Sequence, residues 1–167
     1  MSKLPYEEKV SPAFIEKVKQ VCLKLSIKPE WLMVCMAIET SKTFSSRIKN
    51  SYTNAVGLIQ FMPSTAIWLG TTTYELEHMN EVDQLDYVYR YMKSYAGRMK
   101  SFEDVYLTIF YPAAVGKPDN YRFGINIEQQ KKIAIQNPCY DANHDMVVEK
   151  WEVKEAIMKF VPSGLEV

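Results

Sequence analysis

The chain has 167 residues, 20 basic and 20 acidic side chains, no formal net charge and 47% hydrophobic residues. This composition predicts one soluble globular domain over 1–167, able to bury roughly 70% of its unfolded surface, and excludes fibrous and disordered classes. Without a lysine or arginine block it lacks the electrostatic footprint of nucleic-acid and anionic-membrane binders, so no nucleic-acid partner is expected; a monomer is also expected.

The N-terminal segment MSKLPYEEKV has no apolar h-region, so no export signal is expected. Ser11-Pro12 is an N-cap and first-turn pair, and Phe14, Ile15, Val18, Val21, Cys22 and Leu25 keep the rhythm of one buried face, predicting a helix over 12–25. Lys28-Pro29 starts a second helix, apolar almost all round, that ends near Thr40. Its apolar run, Trp31 to Ile38, is far short of the roughly 20 residues of a bilayer span, so no membrane crossing is expected. Residues 41–58 are polar and predict a loop, and Pro63-Ser64 opens a short helix to about Leu69.

Residues 80–95 carry an apolar stripe, and Ser101 with Asp104 resembles a capping box starting a helix over 102–111. After a loop at 112–124, a helix or irregular segment over 126–135, an Asn137-Pro138 break, an acidic loop and a last helix over about 150–160 complete a mainly α chain. Cys22, Cys35 and Cys139 are read as reduced thiols, the first two as packing residues.

Glu39 ends the stretch LMVCMAIE, where desolvation and the helix dipole both disfavour a charged carboxyl. Downstream, Phe44, Ser51, Gly57, Leu58, Ile59, Gln60, Met62, Pro63, Thr65 and Ala66 stand in the order found after a catalytic glutamate in one family. The stretch resembles the lytic transglycosylases of the soluble lytic transglycosylase and goose-type lysozyme group. The similarity spans about 29–122 and departs at Thr40, where that family usually has Ser, and in a longer loop before Leu58. Tyr111 and Tyr121 fall near the family's later tyrosines, although Pro112 replaces an Asn.

The resemblance implies a lysozyme-like helical domain with little or no β structure, which cleaves the MurNAc-GlcNAc bond of peptidoglycan glycan strands. Glu39 would act as general acid and base, and Ser51, Gly57, Gln60, Tyr111 and Tyr121 would contact substrate. A hydrolase of this type uses a second carboxylate. Asp83, Asp86 and Asp104 read as ordinary polar-face residues and Asp119 lies in a loop, so none is assigned that role. One glutamate suffices if the sugar's own C6 hydroxyl closes a 1,6-anhydro ring. A muramidase on the same fold and a non-catalytic glycan- or calcium-binding module are the alternatives. Action at the cell wall without an export signal implies delivery by a phage lesion, a virion, a secretion system or removal of a leader.

Residues 141–152 place oxygen donors Asp141, Asn143, Asp145, Glu149 and Glu152 at positions 1, 3, 5, 9 and 12, with the Val147 carbonyl at 7. This resembles an EF-hand loop and predicts a structural Ca²⁺ site, with Met146 standing where the sharp turn normally takes Gly. Catalysis itself calls for no cofactor. His144 is expected to point outward.

Overall fold

A computed structural model describes residues 3–167. Among them the chain is helical, with three isolated β-bridges and no sheet, and no helix is long and apolar enough to cross a membrane. The chain forms two compact units, Met1–Gly97 with Val167, and Arg98–Glu166.

In the first unit, α1 (Pro12–Leu25) begins where the Ser11 hydroxyl accepts the Phe14 amide at 3.2 Å, and it stops at Ser26, whose φ is 58°. Phe14, Val18, Val21, Cys22 and Leu25 form its buried face. Helix α2 (Pro29–Glu39) buries every residue from Trp31 to Ala37, so it runs through the core and not along its edge. Two short helices, α3 (Pro63–Trp68) and α4 (Thr73–His78), pack on each other, and α5 (Glu81–Met92) starts from an Asn80 cap. Helix α1 packs against both α2 and α5. Sequence periodicity assigns no element to residues 70–79. Helix α4 is there because Thr72 and Glu75 make a reciprocal capping box, a signal of two residues that a periodicity search over so short a segment misses.

The second unit holds α6 (Phe102–Phe110), α7 (Ile127–Gln136) and α8 (Lys150–Met158), joined by single 3-10 turns at Pro112–Ala114 and Pro138–Tyr140. Its core is aromatic: Phe110 lies edge-on to Tyr140 at 4.9 Å between ring centroids, and the Tyr106 and Tyr140 hydroxyls meet. The expectation that Asp104 is an ordinary polar-face residue is overturned. Asp104 and Lys150 are each only 5% exposed and pair at 3.7 Å. The Asp104 carboxylate also accepts the Lys100 and Gly116 amides, and the Lys150 ammonium donates to the Lys117 carbonyl at 2.7 Å. One buried pair thus fixes the chain on both sides of Gly116.

All three cysteines are free, with Cys22 and Cys35 buried and Cys139 exposed. Burial, reinforced by Glu30, pushes the Cys22 thiol up to about 12. Cys35 is raised well above the usual thiol range, first by burial and then by the charge of Glu39.

Removing one partner of a buried ion pair leaves the other charge without compensation, which typically costs about 3 to 5 kcal/mol. Lys150→Met is therefore expected to lower the urea-unfolding free energy by that order, and Lys150→Met with Asp104→Leu by clearly less than the sum of the two single changes. Additive losses would show that the pair does not couple.

Candidate active site

Glu39 is the last residue of α2 and is half-buried, where a helix enclosed on all sides reaches the surface of its unit. The chain cannot leave such a helix without exposing or satisfying its final carbonyls. Backbone amides do this locally: those of Thr40, Lys42 and Ser41 reach the Met36, Ala37 and Ile38 carbonyls at 3.0, 2.7 and 3.3 Å, and the fully buried Thr40 hydroxyl adds a bond to the Met36 carbonyl at 2.7 Å and accepts the Phe44 amide at 2.9 Å. The Thr43 hydroxyl then closes on the Thr40 carbonyl at 2.8 Å. Ser41, Lys42 and Phe44 all take left-handed backbone, with φ of 49°, 65° and 53°. For a buried phenylalanine that conformation is unfavourable by roughly 1 to 2 kcal/mol, and edge-on packing of its ring on Phe14 at 6.2 Å holds it there.

Beyond Phe44 the polar segment is an ordered pair of small hairpins. The buried Ser46 hydroxyl donates to the Met79 carbonyl at 2.8 Å, anchoring the start. The first hairpin pairs Lys49 with Val56 and is closed by the Asn50 amide on the Ala55 carbonyl at 2.9 Å. Ser51 is exposed at its tip. The second joins Val56 to Phe61 through reciprocal backbone bonds of 3.1 and 2.8 Å, and its turn contains Gly57 and Gln60.

Gly57 is buried at φ +81°, and a Cβ there would lie 2.2 Å from Gln84 Oε1. The close approach that its missing side chain permits is thus made to another side chain of the same unit. Gln60 is half-buried with φ 54°, and its Nε2 donates to the Gly57 and Ile48 carbonyls at 3.1 and 3.3 Å.

Sequence reading missed two residues here. Gln84 occupies a fully buried position on the stripe formed with Leu85, Val88 and Met92, and the readable signal is a polar residue four places before Val88 on an apolar face. Tyr91, on the same helix, has its phenol pushed up to about 12 by burial, then by Tyr95 and by the charge of Glu39. It therefore stays a protonated donor across the physiological range, within the electrostatic reach of Glu39.

Of the aspartates weighed as a second carboxylate, Asp83 accepts from its own Asn80 cap, Asp86 pairs with Lys17 at 2.7 Å and Asp104 is held by Lys150, while Asp119 is exposed in the second unit, where its carbonyl accepts the Trp151 amide at 2.9 Å. Tyr111 and Tyr121 belong to the second unit. The Tyr111 hydroxyl accepts the Gly124 amide at 3.0 Å and its ring stacks on Phe123 at 4.5 Å, while the Tyr121 carbonyl accepts the Lys150 amide at 3.0 Å.

In the acidic loop, Met146 takes φ 66° and the exposed His144 φ 60°. Asp141 accepts the Asp145 and Met146 amides, Asn143 the Asp145 amide, and Asp145 the Val147 amide. Glu152 reaches back to the amides of Ala142, Asn143 and Glu149. Glu149 is drawn elsewhere, to Arg122 at 3.2 Å and the Trp151 indole at 2.7 Å. Among the described residues, no three His, Cys, Asp or Glu side chains group as a metal ion would need.

The chain matches no protein-family model, no curated protein and no solved structure.

Thr40→Val keeps the shape of the residue but leaves the buried Phe44 amide without an acceptor, a loss of about 1 to 3 kcal/mol. Thermal melts are expected to show that destabilisation for Thr40→Val and little change for Thr40→Ser, which retains the hydroxyl. Equal melting points for wild type and Thr40→Val would remove this role.

Proposed function

We propose that the chain is a peptidoglycan lytic transglycosylase acting at the cell wall, with Glu39 as its acid and base. The observation that carries the reading is a half-buried glutamate at the end of a core helix, followed by an ordered loop in which Gln60 is half-buried and held by its own hairpin. The engagement of Asp83, Asp86 and Asp104 in contacts of their own supports a mechanism that needs only one carboxyl group.

Glu39 protonates the glycosidic oxygen as the bond from C1 of MurNAc breaks, giving the GlcNAc hydroxyl as leaving group, while the substrate acetamido oxygen bonds to C1. The C6 hydroxyl oxygen then displaces the acetamido oxygen at C1 and returns its proton to Glu39. A 1,6-anhydro ring closes, the acid is regenerated and no water is consumed. Ser51 and Gln60 serve as hydrogen-bonding groups for the sugars, and in Gln60 the carbonyl half of the amide is left for that role because Nε2 is used within the loop. Gly57 shapes the turn that carries Gln60.

Glu39→Gln keeps the shape of the acid but cannot deliver a proton, and general acid catalysis is worth about 10² to 10⁴-fold. The expected outcome is a folded protein with less than a hundredth of the wild-type rate, and wild-type digests in which mass spectrometry finds anhydro-muramyl ends. Reducing ends would make the enzyme a muramidase. Equal, negligible product from both proteins would make it a non-catalytic module.

The acidic loop is read as a structural Ca²⁺ site held by Asp141, Asn143, Asp145, Glu152 and the Val147 carbonyl. Its oxygen donors suit a hard cation and the turn at Met146 already has the left-handed backbone such a loop uses. Glu149 would join only by leaving Arg122 and Trp151. The ion would draw these carboxylates together, neutralise them and stabilise the loop. Millimolar Ca²⁺ is expected to raise the melting temperature over that in chelator, by an amount equivalent to about 2.7 kcal/mol at a hundredfold excess over Kd. Superimposable melting curves and no heat in a titration would make the loop a hydrogen-bonded turn.

A further inference from the structure

We propose that Gln84 is a positioning residue of the Glu39 site, setting the direction of the Gln60 amide through the single peptide group that joins Gly57 to Leu58; the inference rests on the glycan-cleaving reading above. Gln84 has no solvent exposure, and its amide has one accepting oxygen and one donating nitrogen. Oε1 accepts the Leu58 amide at 2.7 Å, and Nε2 donates to the Leu76 carbonyl at 2.8 Å and the Ser46 carbonyl at 3.3 Å. One side chain from α5 thereby ties down the start of the double hairpin, its second turn and α4.

The Leu58 N–H that Gln84 accepts and the Gly57 C=O belong to one planar peptide. On its other side, the Gly57 carbonyl accepts both the Gln60 backbone amide at 3.1 Å and Gln60 Nε2 at 3.1 Å. The route is continuous: Gln84 Oε1 to the Leu58 N–H, through the peptide to the Gly57 oxygen, and on to the Gln60 side chain. Glycine at φ +81° is the residue type about which such a peptide turns over most easily. Rotation of that peptide would point its carbonyl at Gln84 Oε1 and deprive Gln60 of both bonds.

The packing opposes this as well. The Gln84 amide fills the space beside Gly57 so fully that a Cβ would sit 2.2 Å from Oε1, 2.6 Å from Nε2 and 2.7 Å from Cδ. Gly57 and Gln84 are therefore a matched pair. The glycine admits the amide, and the amide fixes the one degree of freedom that the glycine introduces.

The test combines Gln84→Ala and Gln84→Glu with Gln60→Ala, measuring kcat on peptidoglycan far below the melting temperature, with circular dichroism to confirm the fold. Gln84→Ala is expected to lower kcat about 10 to 100-fold, the scale of a misplaced catalytic-site group. In the Gln60→Ala background it should add less than about threefold, because it acts through Gln60. Gln84→Glu, read relative to wild type at each pH, should recover activity as the pH is lowered through its own titration, since only the protonated acid can both accept from Leu58 and donate. That recovery keeps the test decisive if Gln84→Ala does not fold.

Unchanged kcat in folded Gln84→Ala, a Gln84→Glu activity relative to wild type that does not change with pH, or a Gln84→Ala loss that multiplies undiminished onto Gln60→Ala, overturns the proposal. A wild-type chain without turnover would instead overturn the glycan reading. Amide hydrogen exchange then still decides the positioning: Leu58 exchanging no faster in Gln84→Ala than in wild type overturns it.

Discussion

A helix that is apolar on all sides can be enclosed completely, but its last turn of carbonyls cannot be left dry and unpaired. In α2 the amides of Thr40, Ser41 and Lys42 answer the Met36, Ile38 and Ala37 carbonyls, and the Thr40 hydroxyl ties the Phe44 amide back to this end, so the chain turns within four residues. Glu39 sits on the residue before that turn, so the requirement that ends the helix also sets the carboxyl at the margin of the core.

From Thr40 onward the chain accepts backbone conformations that side chains disfavour. Phe44, Asn54 and Gln60 all have φ between 53° and 58°, and each is held by something that outweighs the cost: ring packing on Phe14 for the first, short-range backbone bonds for the others. Such strain persists only where its surroundings over-determine it. Around the second hairpin the determinant is a buried polar group on an otherwise apolar helix face. An apolar side chain at position 84 could fill the volume but would leave the Leu58 amide and two carbonyls without partners.

The second unit solves a related problem with charge. Asp104 and Lys150 lie in a mainly aromatic core, and their burial is tolerable because each is also hydrogen-bonded to backbone on the loop around Gly116. Lys150 opens α8 directly after the acidic loop, so that helix start, the chain at Gly116 and Lys117, and α6 are fixed by one pair of side chains. The turn at Met146 shows the acidic loop already folded by its own amide-to-carboxylate bonds.

Much of this is local and was therefore legible in the sequence. The starts of α1, α2 and α6, the enclosure of α2, the burial of Cys22 and Cys35 and the position of Glu39 at a helix end follow from periodicity, prolines and caps within a few residues. Even the short α4 was written in Thr72 and Glu75, though too briefly for periodicity to find. What only the tertiary structure decided depends on partners far apart in the chain. Gln84 meets Ser46 and Leu58 at separations of 38 and 26 residues, and Arg122 draws Glu149 away from its loop across 27. Asp104 is buried because Lys150 reaches it. Composition fixes which residues can be buried, but a polar side chain can enter a core only where folding delivers its complement, and that complement is not encoded in its neighbours.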